Sequence, residues 1–225
     1  MIINRPAKMT RTTNYGNNYW ITESFKLNRE IKLYSDLEYS NFLHVEVGDP
    51  NIIGFQEQPF SVLIEIDGII EKTIFDMEVI FSTGEKELWE VKYLSELEGN
   101  SKASKRSKHQ IEKQQKWCDE NGYIYKVRTE NDIYLGSEYI NNLSYIFHQL
   151  KRMDISEAEM NSKVIINKLK EFDRLKISDF VDEETEAIQC LQAVILMIYK
   201  GQVKADLFKN ELNYNTEVYD VTEKI

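Results

Sequence analysis

Residues 73–92, TIFDMEVIFSTGEKELWEVK, carry two carboxylates and an ammonium at spacings that a β-hairpin would bring together. Glu90 and Lys92 are two apart, and residues two apart on a strand share a face. Ser82-Thr83-Gly84 fits a three-residue hairpin loop with glycine at its left-handed position. That loop pairs Phe81 with Glu85 and, counting back, Asp76 with Glu90. Directly paired residues lie on one face, so Asp76, Glu90 and Lys92 are expected to converge. Two carboxylates beside an ammonium can hold a divalent metal and activate a water. A lone E-x-K on a half-exposed hairpin is more often a surface salt bridge; Asp76 at the paired position sets this one apart.

The surrounding pattern supports the register. The opposite face would carry Phe75, Met77, Val79 and Phe81, with Trp89 and Val91 across from them, apolar enough to pack on a core. A slip of one residue would turn Asp76 into that apolar side. Residues 34–47 are predicted as a helix with Ser35 as N-cap and Glu38 three residues later, as in a capping box. A strand is predicted at 60–66, an Asp67-Gly68 turn after it, one long strand at 69–81, and a strand at 86–94. A helix from the basic run to about residue 120 ends at Asn121-Gly122, with Ile111, Trp117 and Cys118 facing inward, and a strand follows at 123–128. Residues 1–30 read as an extended arm. The expected fold class is α/β: a mixed sheet flanked by helices, with a smaller, mainly helical second domain.

Charge narrows the function classes. The chain has 225 residues, a formal net charge of −10 and 42% hydrophobic residues, which argues against a protein that coats nucleic acid by charge alone. The basic charge is clustered, however. Lys102, Lys105, Arg106 and Lys108 fall within seven residues just after the E-x-K strand, and Arg5, Lys8 and Arg11 stand in a start without acids. A carboxylate cluster beside a basic run suits a phosphodiester substrate, with the four cations contacting the DNA backbone. The basic run is otherwise a solvated helix face. Nothing in the sequence reads as a membrane span or a secretory signal, and Cys118 and Cys190 have no disulfide or metal-ligand spacing, so a reducing cytoplasm is expected. His44, His109 and His148 are scattered singly, and no phosphate-cradling glycine motif is present.

From about residue 136 the character changes to helices at 137–152, 156–172 and 184–199, then a short strand at 217–221. Acids outnumber bases here, 16 to 11, which favours a protein partner over DNA. The expected domains are therefore 1–135, holding the site, and 136–225, a helical, winged-helix-like partner-binding domain.

The order of motifs resembles the TnsA-type endonuclease subunit of heteromeric transposases. Ser35-Asp36-Leu37-Glu38 is followed by Phe55-Gln56-Glu57-Gln58-Pro59, then Asp76, then Glu90-Val91-Lys92. A lysine-rich helix, a Tyr-x-Tyr-x-Val strand and Asn141-Asn142-Leu143 come after. The resemblance implies a restriction-endonuclease-like fold of the PD-(D/E)xK class and Mg²⁺-dependent nicking of 5′ strands at transposon ends, with Mn²⁺ as a substitute. It implies a DDE-type, TnsB-like transposase subunit that processes the 3′ ends, and a TnsC-like ATPase regulator engaging the C-terminal domain. It also implies roles: Asp76 as central metal ligand, Glu90 and the Val91 carbonyl as further ligands, Lys92 on the attacking water, and Glu38 reaching a second ion or its water. Gln58 either orients a phosphate or stabilises the turn before Pro59. Phe75-Asp76-Met77 departs from the family's usual Pro-Asp-Phe, and Glu90 stands where some members carry glutamine. The alternatives are another nuclease of the same fold class, of restriction or recombination type, and a non-catalytic assembly module.

Overall fold

The computed structural model describes residues 18–66, 68–183 and 185–221. The chain divides into two compact units. One comprises the chain up to Glu46 with Asn51–Ile133; the other comprises Val47–Pro50 and the chain from Tyr134 onward.

The first unit opens with a hairpin of β1 (Trp20–Ser24) and β2 (Arg29–Leu33), where an extended arm was expected. Ile31 and Leu33 alternate inward and are fully buried, which gives the segment an apolar face to fold on. Helix α1 (Asp36–Leu43) begins at Ser35, whose hydroxyl accepts from the Glu38 N–H, and runs on without a break into a π-helical turn at His44–Gly48. Strands β3 (Ile52–Glu57), β4 (Ser61–Ile66), β5 (Ile69–Ile74), β6 (Met77–Phe81) and β7 (Lys86–Val91) follow. After them come α2 (Leu94–Glu98), α3 (Lys102–Asn121), β8 (Ile124–Arg128) and the short α4 (Glu130–Ile133).

Four of these strands form one mixed sheet in the order β3-β6-β7-β8. The β3–β6 and β6–β7 pairs are antiparallel and β7–β8 is parallel. A parallel pair needs a long crossover, and α2 and α3 supply it. Helices cover both faces: Phe42 of α1 meets Phe55 of β3 edge-on at 5.9 Å, while Cys118 of α3 joins Leu88 of β7 in the core on the other side. This is the mixed α/β architecture expected, consistent with a restriction-endonuclease-like fold.

Two expectations are corrected. Residues 69–81 are not one strand. β5 pairs with β4 as a separate two-stranded ribbon, and the chain changes partners at Phe75-Asp76 before β6 enters the main sheet. Strict alternation is lost at that switch. Phe75 therefore packs with Val62, Ile64, Leu88 and Cys118 on the α3 side, not with Met77 and Trp89. The strand beside β6 is β3, from the NIIGFQE segment, where no strand was expected. Asp67 of the predicted turn, the basic side chains Arg5, Lys8 and Arg11, and Glu184 at the predicted start of the last helix lie outside the described residues.

The second unit packs α5 (Tyr139–Leu150), α6 (Ile155–Glu171) and α7 (Ala187–Tyr199) with a three-stranded antiparallel sheet. The sheet order is β10-β11-β9, from Val203–Ala205, Glu217–Asp220 and Leu175–Lys176. α7 buries Cys190, Leu191 and the run Ala193–Ile198. Asn142 of α5 is buried and pins the loop before β11: its amide donates to the Leu207 and Asn210 carbonyls at 2.9 and 2.8 Å, and its carbonyl accepts from the Leu212 N–H. Among the described residues no helix is long and apolar enough to cross a membrane.

Candidate active site

The hairpin register is the one the turn length dictates. Phe81 N–H donates to the Glu85 carbonyl at 2.9 Å, and Gly84 sits at φ 86°. Met77 faces Trp89, Glu78 faces Leu88 and Ile80 faces Lys86, so Asp76 stands one step before β6, opposite Glu90. The Asp76 N–H donates to the Trp89 carbonyl, and Asp76 Oδ2 accepts from the Val91 N–H at 2.8 Å. Lys92 Nζ lies 2.6 Å from Glu90 Oε1 and 4.0 Å from Asp76 Oδ2. The three side chains thus meet at one end of the β6–β7 pair.

Helix α3 supplies the support. Gln110 Nε2 donates to Glu90 Oε1 at 2.7 Å, and Gln114 Nε2 donates to Glu90 Oε2 at 2.9 Å. Gln114 also donates to Thr73 Oγ1 and the Ile74 carbonyl, and its own carbonyl accepts from the Tyr125 hydroxyl at 2.6 Å. Glu90 is fully buried with both oxygens bonded, so its orientation is fixed. Sequence reading missed Gln110, Gln114 and Tyr125. Their signal is a stripe at helical spacing, Ser104, Ser107, Gln110, Gln114 and Cys118, polar where an apolar stripe is usual; Ser107 meets Glu96 of α2, and Gln110 and Gln114 meet Glu90 of the sheet.

Glu38 reaches the site through its charge. Its carboxylate caps its own helix, accepting from the Tyr34 N–H at 3.0 Å and the Ser35 hydroxyl at 3.3 Å. Burial and the Asp76 charge push the Glu38 carboxyl up to about 8. Burial, then Asp76, push Glu90 up to about 7 against the pull of Lys92. Burial also raises Asp76, and the Glu96 charge on α2 adds to it, while Lys92 and the Val91 N–H work the other way. Burial alone would lower Lys92, but Glu90 and Asp76 outweigh it and hold the ammonium well above its usual range.

Three carboxylates share one ammonium, which leaves the site short of positive charge. Asp76 Oδ1 makes no hydrogen bond among the described residues, and the Asp76 side chain is 19% exposed, so an oxygen is open to a ligand. Among the described residues no three His, Cys, Asp or Glu side chains gather into a full metal cage. Mg²⁺ does not need one: it binds through one or two carboxylates and keeps its waters. Asp76 Oδ1, with backbone nearby at Val91, fits that requirement, and Glu90 would share an oxygen between an ion and its present donors.

The basic run divides. Lys102, Lys105 and Arg106 are exposed on the first turns of α3 and form no ion pair among the described residues. Lys108 instead turns back and donates to the Gly99 carbonyl at 3.0 Å. Gln58 is buried beside Asp76, its N–H on the Asp76 carbonyl at 3.0 Å. The isolated histidines take no part, and Cys118 and Cys190 are buried free thiols.

Residues 49–130 match the family model described as TnsA-like endonuclease N terminal. No curated protein matches the chain. The matched segment includes Gln58, Asp76, Glu90, Lys92 and all of α3, whereas Glu38 precedes it. Residues 49–130 are therefore similar to a TnsA-like endonuclease N-terminal domain, and the Asp76–Glu90–Lys92 cluster lies inside that segment.

Proposed function

We propose that this chain is the Mg²⁺-dependent endonuclease subunit of a heteromeric transposase, nicking the 5′ strands at transposon ends. The observation that supports this reading is the meeting of Asp76, Glu90 and Lys92 within a segment similar to a TnsA-like endonuclease domain. Asp76, Glu90 and the Val91 carbonyl would hold the ion, with Glu38 toward a second ion or its water. A bound Mg²⁺, or Mn²⁺ in its place, makes a coordinated water more acidic and offsets charge on the phosphorane.

The side chains divide the remaining work. The Val91 N–H fixes Asp76, and Gln110 with Gln114 fix Glu90, so both carboxylates are aimed before substrate arrives. Lys92 is held by its two acids. It orients or deprotonates the attacking water and offsets negative charge on the phosphorane as it develops. Lys102, Lys105 and Arg106 hold the DNA backbone without reading sequence. The acidic second unit engages the ATPase regulator, and the DDE-type transposase subunit is the chain's other protein partner. The setting is the bacterial cytoplasm, on chromosomal DNA.

The test pairs the full chain with its transposase partner on transposon-end DNA in Mg²⁺. Wild type should nick the 5′ strands and Asp76→Ala should not. Equal nicking by both would exclude this site, and no nicking by either would favour an assembly module.

A further inference from the structure

Gln58 is held in an unfavourable state at the edge of the site. Its φ is 37°, in the left-handed region where glycine or asparagine is the low-energy choice. It also precedes Pro59, and a following proline drives a residue toward extended backbone. The residue is 2% exposed, yet its Nε2 is buried with no hydrogen-bond partner, and its carbonyl bonds to nothing among the described residues. Buried amides are almost always paired, so an orphan calls for an explanation.

The backbone shows where the residue is held. Its N–H donates to the Asp76 carbonyl at 3.0 Å, one step beyond the Glu57–Met77 rung of the β3–β6 pair. The preceding residue cannot yield, because Glu57 is buried in a two-bond pair with Arg29 at 2.6 and 2.5 Å. Glycine at this position would relieve the backbone, and methionine would fill the space without an unmatched polar group. A glutamine with an idle amide, tied by its main chain to the aspartate of the site, has hydrogen-bonding capacity that no protein group uses.

We propose that Gln58 contacts substrate: its amide donates to a non-bridging oxygen of the DNA phosphodiester that the Asp76–Glu90–Lys92 site receives. The inference rests on the nuclease reading above. A neutral donor suits this place. It binds an anionic phosphate without repelling a cation, whereas the Lys92 ammonium is already engaged by Glu90. Because the residue is buried, contact with the phosphate requires its side chain to turn outward on substrate entry, a change of rotamer at Gln58.

The experiment uses the ¹⁵N-labelled full chain with Ca²⁺, which permits binding without cleavage, and the dinucleotide dTpdT as probe. The Gln58 side-chain amide signals are identified by their loss in Gln58→Met. On titration they should shift and saturate together with the Val91 N–H and the Gln110 and Gln114 amides. Shifts at Val91 and Gln110 with none at Gln58 would overturn the inference and leave the nuclease reading standing. No shift at any of these groups, with dTpdT or with duplex DNA, would overturn both. Melting supplies the control: Gln58→Met should melt at or above the wild-type temperature, since the amide has no protein partner. A clear fall would make Gln58 a structural residue and overturn the assignment. In the transposase complex, Gln58→Met should lower end nicking at least ~10-fold, the factor expected for a contact that strengthens in the transition state.

Discussion

Asp76 Oδ2 accepts the Val91 N–H at 2.8 Å, so the aspartate at the start of one strand is fixed by the backbone between Glu90 and Lys92 on the next. The bond explains why a residue at a break between strands can still be aimed. It also separates two functions of one carboxylate: one oxygen holds the hairpin end together, and the other is left for a ligand.

That separation makes Asp76→Asn informative. Its side-chain carbonyl can still accept from Val91, so the hairpin end should stay closed and the melting temperature should move little. The charge that would hold an ion is gone, so Mg²⁺-dependent nicking should fall by about three orders of magnitude or more, several kcal/mol of transition-state stabilisation. Nicking assays and melts on the same preparations check both halves. Retained activity would place the ion elsewhere.

The basic run should separate into binding and structural residues. Lys105→Ala and Arg106→Ala each remove an exposed, unpaired cation, so each should weaken DNA binding evenly across sequences and flatten its salt dependence by about one counterion. Lys108→Ala removes the bond to the Gly99 carbonyl and should leave the salt slope alone while lowering stability by about 0.5–1.5 kcal/mol. Anisotropy titrations at several salt concentrations distinguish them. A Lys108 variant that loses a counterion would show that its side chain leaves Gly99 to meet DNA.

How much of this was legible in the sequence depends on how local the deciding interaction is. The Ser82-Thr83-Gly84 turn fixes register by its length, so the Asp76–Glu90 rung could be counted out residue by residue. The capping of α1 by Ser35 and the stop of α3 at Gly122, with φ 72°, are equally local. The change of partner at Phe75-Asp76 could not be read, because β4 competes with β3 for the same stretch and only tertiary packing decides. The polar inward face of α3 was missed for a related reason. Gln110 and Gln114 face the sheet because Glu90 is buried there and needs donors, and periodicity alone treats them as solvent-facing.

Gln114 is the residue whose loss should spread furthest. Gln114→Leu keeps the volume but leaves Glu90 Oε2 and the Tyr125 hydroxyl without their partners. Each buried group left unpaired costs about 1–3 kcal/mol. The variant should therefore be clearly less stable, and nicking by the folded fraction should fall as Glu90 loses its aim. Gln114→Leu combined with Tyr125→Phe should recover part of the stability, since the orphaned hydroxyl is gone, but not the nicking. A fully additive pair in denaturant melts would show that the two side chains are not coupled.

The crowded acids also make metal-free stability depend on pH. Glu38 and Glu90 start from an ordinary value of 4.5 and are pushed up to about 8 and about 7 in the folded chain. Between those values the folded state binds more protons than the unfolded one, so stability falls as pH rises. In a metal chelator the melting temperature should therefore decline from about pH 5 to about pH 8, the window these shifts define. Glu38→Gln should flatten the slope throughout, and Glu90→Gln only its part below about pH 7. Mg²⁺ binds the ionised carboxylates, so it should raise the melting temperature more at the alkaline end than at the acid end. Melting curves with chelator and with Mg²⁺ across this range test the point directly. A slope unchanged in the double variant would mean that these two acids do not carry the linkage.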